Sequence, residues 1–294
     1  MVISMQTDEL QIQWYPGHMT KTRRMMESDL RLVDAVCEIL DARIPVSSRN
    51  PEIDAICGQK PRMVILNRID MADPACTRQW AAHFRALGMA VIQTDCKSRK
   101  GISDFGPALR KLLAERLRRY AEKGMGGRPL KAMVVGIPNV GKSTFINQVA
   151  GRKGAKAEDR PGVTRGKQWV SVDQGLLLLD TPGILWPKFE DPMVGLRLAF
   201  TGAVKDDILD LETLAARLIE LLWQRYPEAV RERYQIEADA EESGADLLRR
   251  IGQRRGYLLR GGLVDADRTA RVVLDEYRGA KIGRFTLEQP EVQP

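Results

Sequence analysis

Long apolar runs are missing from this chain of 294 residues. A bilayer-spanning helix needs roughly 18–20 consecutive apolar residues, whereas a notable run here, residues 176–179, is four leucines long. Cysteine is sparse as well. Cys37, Cys57, Cys76 and Cys96 lie about twenty residues apart with no CxxC pair, which argues against a thiolate metal knuckle or a disulfide framework and for reduced thiols. The first residues carry Asp8 and Glu9 and show neither an apolar signal core nor an arginine-rich presequence, so a cytoplasmic protein is expected. With 44% hydrophobic and 29% charged residues, the composition is that of an ordinary globular protein, with room for two domains.

The net charge of +7 is unevenly spread. From Glu190 onward there are 16 basic and 20 acidic residues, against 30 and 19 before it. Within the later part, residues 205–246 hold 5 basic and 12 acidic groups, and residues 249–284 hold 10 and 4. Such segregation suits a surface that faces a polyanion, or equally a set of solvated helix faces; charge alone leaves both open.

Apolar strand-like runs at 35–40, 63–66, 89–93, 130–135, 168–172 and 176–179 alternate with amphipathic stretches at 21–32, 74–87, 102–122 and 142–150. This alternation predicts a mostly parallel sheet covered by helices on both faces. Asp173-Gln174-Gly175 between the last two runs reads as a hairpin turn, making one edge pair antiparallel. The polar, glycine-rich stretch 123–129 is the clearest linker. Beyond Trp186-Pro187 only helical patterns remain: Leu211, Leu214, Ala215, Leu218, Leu221 and Leu222 form one stripe, ended at Tyr226-Pro227. Asp265 is placed to cap a further helix through Tyr277, followed by Gly279. The expected domains are therefore 1–187, an α/β unit, and 188–294, a small all-α unit.

The chemistry begins at Gly136-Ile137-Pro138-Asn139-Val140-Gly141-Lys142-Ser143, a full GxxxxGKS phosphate loop between a strand-like run and a helical one. Its glycines permit a tight turn at the phosphates, where Pro138, Asn139, Val140, Gly141, Lys142, Ser143 and Thr144 would line the nucleotide. Lys142 would supply charge to the β- and γ-phosphates, and Ser143 a hydroxyl to Mg²⁺. Thirty-seven residues after Ser143 comes Asp180-Thr181-Pro182-Gly183, a DxxG in which Asp180 would hold Mg²⁺ through water and the Gly183 N–H would meet the γ-phosphate. Between the two, Thr164 in a glycine-rich polar segment is the expected switch hydroxyl on Mg²⁺.

The guanine signal lies upstream of both. Asn67-Arg68-Ile69-Asp70 fits NKxD with arginine for lysine, and Asp70 would accept from the guanine N1–H and 2-amino group, a pair that adenine does not offer. Asp95-Cys96-Lys97 takes the place of the usual SAK, with the Cys96 N–H toward guanine O6 and Lys97 flanking the base. This order of motifs reads as a circularly permuted P-loop GTPase domain, using GTP with Mg²⁺ and giving GDP. Ile184 stands where many GTPases place a water-orienting glutamine. The helix that would normally follow the second switch is supplied by residues 21–32, which brings His18 toward the γ-phosphate as the expected water-positioning residue. Since the second switch runs directly into the helical unit, loss of the γ-phosphate is expected to reorient that unit.

The motif order, Gln13-Trp14-Tyr15-Pro16-Gly17-His18-Met19, Asp41-Ala42-Arg43-Ile44-Pro45, Ser48-Arg49-Asn50-Pro51 and Gly279-Ala280-Lys281-Ile282-Gly283-Arg284 together resemble the ribosome biogenesis GTPase A family (YlqF/RbgA) of circularly permuted GTPases, over residues 12–288. The resemblance implies a GTP-driven role in late assembly of the large ribosomal subunit, with binding to that subunit or its precursor and to ribosomal RNA, and it also favours His18. It implies stimulation by K⁺, since Asn139 resembles the asparagine that ligates a monovalent cation beside the phosphates. A monomer with no membrane partner is expected. A nucleotide-gated RNA-binding switch with negligible hydrolysis is the alternative that the sequence leaves open.

Overall fold

The computed structural model describes residues 19–151, 169–173, 175–181, 191–239 and 241–290. The described residues up to 181, together with 286–290, form one compact unit, built on a sheet, and those from 191 to 285 form another, built of helices.

In the sheet unit the elements run α1 (Met19–Leu30), β1 (Ala35–Asp41), α2 (Glu52–Cys57), β2 (Arg62–Asn67), α3 (Pro74–Ala86), β3 (Ala90–Thr94), α4 (Phe105–Leu112), α5 (Ala114–Glu122), β4 (Leu130–Val135), α6 (Lys142–Ala150), β5 (Trp169–Asp173) and β6 (Leu176–Asp180). The six strands lie in the order β3-β2-β1-β4-β6-β5. All neighbours are parallel except β5 and β6, the antiparallel pair read from the hairpin signal. Every residue of β1 is buried, as befits a central strand with helices over both faces. On one side Met26 and Leu30 of α1 join Val36, Met133, Val135 and Leu179 in one apolar cluster. Another cluster sets Leu40, Val64 and Leu66 against Trp80, Ala81 and Phe84 of α3.

This order shows what the permutation does. The strand that opens the sheet unit is inserted between β2, which leads into Asn67-Arg68-Ile69-Asp70, and β4, which leads into the phosphate loop. The parallel strands therefore present their following loops at one carboxyl edge, where ligands bind in open α/β sheets.

Two details depart from the sequence reading. The stretch 102–122 is a 3₁₀ turn and two helices, broken where Leu113 takes φ −101°, ψ 17°. The apolar spacing runs on through the break because Leu109 and Leu113 are both buried. Secondly, residues 286–290 pack in the sheet unit, not with the helices as the 188–294 boundary implied. Their polar groups find partners around the end of β1, described below.

The helical unit contains α7 (Pro192–Phe200), α8 (Leu211–Arg225), α9 (Pro227–Tyr234), α10 (Gly244–Arg255) and α11 (Ala266–Arg278). Leu211, Leu214, Ala215, Leu218 and Leu222 of α8 are buried, joined by Ile219 and Trp223, while Leu221 is only half-buried. Asp210, Ser243 and Asp265 each accept a hydrogen bond from a first-turn N–H of the helix they precede, at 3.0–3.2 Å, the usual service of an N-cap. Arg278 closes the unit from the end of α11, donating to both carboxylate oxygens of Asp206 at 2.7 and 2.8 Å and to the main-chain oxygens of Ala199 and Phe200. Among the described residues no helix is long and apolar enough to cross a membrane.

Candidate functional site

The phosphate loop follows β4 and enters α6 as its sequence requires. Gly141 is in the left-handed region at φ 100°, and a Cβ there would lie 2.4 Å from the Asn67 amide nitrogen. Only glycine satisfies both constraints. The clash it avoids is also informative, because Asn67 is the first residue of the base motif. Its amide nitrogen donates to the main-chain oxygen of Val140 at 2.9 Å, and its carbonyl accepts from the Thr94 hydroxyl at 3.1 Å. One buried side chain thus ties the ends of β2 and β3 to the phosphate loop.

Arg68 adds a second tie. From φ 63° its terminal nitrogen reaches the main-chain oxygen of Asn139 at 2.6 Å, while its Nε stands 3.8 Å from Asp41. The arginine in the lysine position therefore bridges the phosphate loop and the end of β1. Asp41 also holds Arg43, which donates from Nε and Nη2 at 2.9 and 2.7 Å and is 1% exposed. Burial would raise the Asp41 carboxyl, but the adjoining Arg43 guanidinium and its hydrogen bonds, with help from Arg68, leave it below the ordinary value. For Arg68 burial dominates and draws its pKa down, with the Asp41 charge opposing. Asp70 stands half-buried two positions on.

The Asp95-Cys96-Lys97 turn is brought to the same edge. Asp95 accepts from the Lys97 and Ser98 N–H groups at 2.8 and 3.2 Å and pairs its own N–H with the Lys100 oxygen. Burial tends to raise the Asp95 carboxyl, and the bonds from Ser98 and Lys97 outweigh it, so its pKa is lowered. Asp95 is thus the builder of the turn, with Cys96 buried and Lys97 exposed beside it. Desolvation pushes the Cys96 thiol up to about 11, so it is neutral at ordinary pH.

At the phosphate end Lys142 Nζ lies 2.6 Å from Asp180 Oδ1. Thr181 anchors the strand end behind them by donating to the Val134 oxygen at 2.7 Å. Ser143 and Thr144 open α6 with exposed side chains. A hydroxyl and a single carboxylate are hard oxygen donors suited to Mg²⁺, which completes its shell with phosphate oxygens and water. Among the described residues no group of three or more His, Cys, Asp or Glu could hold a metal. His18, Thr164, Gly183 and Ile184 lie outside the described residues.

Sequence reasoning located the motifs but not the pieces between them. The Asp41–Arg43 pair, the Thr94 hydroxyl and the role of residues 286–289 carried no local signal, although Asp41 and Arg43 belong to a segment that supported the family resemblance.

A family described as 50S ribosome-binding GTPase matches residues 131–238, taking in the phosphate loop and DxxG but not the upstream base motif. The Ribosome biogenesis GTPase A of Bacillus cereus is 48% identical over 280 residues, covering 95% of this chain and 94% of that one. The chain belongs to the ribosome biogenesis GTPase A family. The protein of the same name from Priestia megaterium is 49% identical over 280 residues, with 95% and 97% covered. A solved structure described as GDP-bound YlqF is 27% identical and superposes with a TM-score of 0.68 over 92% of this chain and all of that one. As a member of the family, the protein is a circularly permuted GTPase that hydrolyses GTP to GDP and phosphate.

Proposed function

We propose that this GTPase binds the large ribosomal subunit or its precursor and acts in late large-subunit assembly, in the cytoplasm and as a monomer, with turnover stimulated by the particle and by K⁺. The observation that carries the nucleotide part is the joining of the base motif to the phosphate loop by Asn67 and Arg68, 2.9 and 2.6 Å from main-chain oxygens of Val140 and Asn139. These contacts join residues 73 and 71 positions apart in the chain, which supports reading the two motifs as one site for one ligand. The relatives' shared name supplies the ribosomal part.

In this reading Asn67, Arg68, Asp70, Asp95, Cys96 and Lys97 surround the base, and Pro138 to Thr144 with Gly183 surround the phosphates. Ser143, Thr164 and Asp180 serve Mg²⁺, and Asn139, exposed in the phosphate loop, serves K⁺. Bound Mg²⁺ neutralises phosphate charge; Lys142 adds a fixed positive charge from the protein, and His18 orients the attacking water. Ribosomal RNA is the polyanion for the basic segment 249–284, whose binding should weaken steeply with salt.

The test is steady-state GTP hydrolysis in potassium and in sodium, with and without purified large subunits. Stimulation that needs both potassium and the particle is the expected result. A flat, slow rate with GTP still bound would replace this reading with that of a non-hydrolysing RNA-binding switch.

A further inference from the structure

The last described residues do not trail off the molecule; they thread through the support of the base motif. Glu288, 6% exposed, receives the Val46 N–H at 2.6 Å and the Ser47 N–H at 3.1 and 3.2 Å, together with the Ser47 hydroxyl. Its main-chain oxygen accepts from Trp80 Nε1 at 3.0 Å. Leu287 donates its N–H to the Arg43 oxygen at 2.8 Å. The Thr286 hydroxyl donates to the Ala42 oxygen and accepts the Asp73 N–H, both at 3.2 Å. Gln289 reaches Cys76, with its amide nitrogen 3.0 Å from Sγ.

The partners named here fall on two segments. One is the loop at 42–47, which leaves β1 at Asp41 and is paired to the base motif by the Ala42 N–H on the Asn67 oxygen at 2.9 Å. The other is the start of α3, at Asp73, Cys76 and Trp80, which follows Asp70 by three residues. Residues 286–289 therefore stitch together the two segments that flank Asn67, Arg68 and Asp70. A buried carboxylate gathering two N–H groups and a hydroxyl is a strong anchor, and its removal would leave those donors without an acceptor.

We propose that residues 286–289 are a strap that positions the guanine-reading end of the nucleotide site, with Glu288 as its anchor and a positioning residue for the GTPase reaction. The strap touches no reacting atom. It fixes the spacing between Asp41, which faces Arg68, and Asp70, which faces the base. Its loss should weaken recognition of the base more than the chemistry at the phosphates. The proposal rests on the reading of Asp70 as the acceptor of the guanine 2-amino group.

The experiment compares the full chain with Glu288→Gln and with Trp80→Phe, the second of which keeps an aromatic ring in α3 and removes the Nε1 donor together with part of the buried indole. Affinities for GDP and for inosine diphosphate, which lacks the 2-amino group, are measured by competition against a fluorescent GDP, and kcat and KM for GTP are measured in parallel. The wild-type chain should prefer GDP by about 10-fold or more. Each variant should cut that preference by about threefold or more and raise KM, with kcat at saturation within about twofold of wild type. Equal loss of affinity for both nucleotides would reduce the strap to a merely structural role and overturn the proposal, as would an unchanged preference in either folded variant. A wild-type chain indifferent to the 2-amino group would instead overturn the reading of Asp70, and the proposal with it.

Discussion

Arg68 donates a hydrogen bond of 2.6 Å to the main-chain oxygen of Asn139, so the residue that departs from the NKxD pattern is a structural part of the phosphate loop. Its guanidinium does two things at once, since Nε also faces Asp41 at 3.8 Å. A lysine ammonium is a point donor on a flexible stem and lacks the planar fork that spans both partners. Arg68→Lys should therefore weaken GDP binding by about 3- to 10-fold, the equivalent of one hydrogen bond worth ~1 kcal/mol. Stopped-flow release of a fluorescent GDP should show the change as faster dissociation. Unaltered release would mean that the link to Asn139 does not hold the loop in solution.

In the proposed site Asp70 governs the choice of base. An amide in its place can accept from the guanine N1–H but presents an N–H₂ to the 2-amino group, donor against donor. Xanthine carries a carbonyl at that position and would be accepted. Asp70→Asn should lower GTP affinity by about 100-fold or more and make the xanthosine nucleotide the better ligand. Parallel titrations with GTP and xanthosine triphosphate would show the inversion, and a variant that still prefers GTP would remove Asp70 from base recognition.

What the sequence disclosed and what it hid differ in range. Lys142, Asp180 and Asn67 were legible because each ends or follows a short apolar run, and strand ends are where an α/β sheet displays its ligand-binding loops. The antiparallel β5–β6 pair was legible from Asp173 and Gly175 at the turn. Asp41 and Arg43 stood out as residues of a familiar segment, but nothing local says that the two would be buried as an ion pair behind Arg68. Glu288 was invisible for a stronger reason. Its partners Val46 and Ser47 are 242 and 241 positions away, and no periodicity spans that distance. Leu113 shows the opposite failure: its burial preserved the helical spacing across a break in the backbone.

The buried thiols set an alkaline limit. Burial raises Cys37 from 9.0 to about 12, Cys57 to about 11 and Cys96 to about 11. Each is an acid whose neutral form the fold prefers. Its stabilising share is fully present below pH 9.0 and fades as pH climbs through 9.0 toward the folded value. Urea midpoints should be level between pH 7 and 8 and fall between pH 9 and 11, and Cys37→Ala should flatten that fall even if it lowers stability at neutral pH. A midpoint that does not move over this alkaline range would show that the thiols are solvated in the native state.

The same separation of binding from chemistry applies at the other end of the nucleotide. Ile184 follows the DxxG where a glutamine could have oriented water, and its side chain has no hydrogen-bonding atom. In the proposed mechanism the residues just ahead of α1 continue that switch, and His18 immediately precedes α1 in the sequence. Imidazole can accept a proton or fix a water by hydrogen bonding, as isoleucine cannot. His18→Ala should bind GTP and the large subunit as the wild type does, with particle-stimulated hydrolysis lowered by about 100-fold or more. A loss of GTP affinity with unchanged turnover at saturation would assign His18 to binding. Wild-type turnover on the particle would require another group, supplied by this chain or by the ribosome, to orient the water.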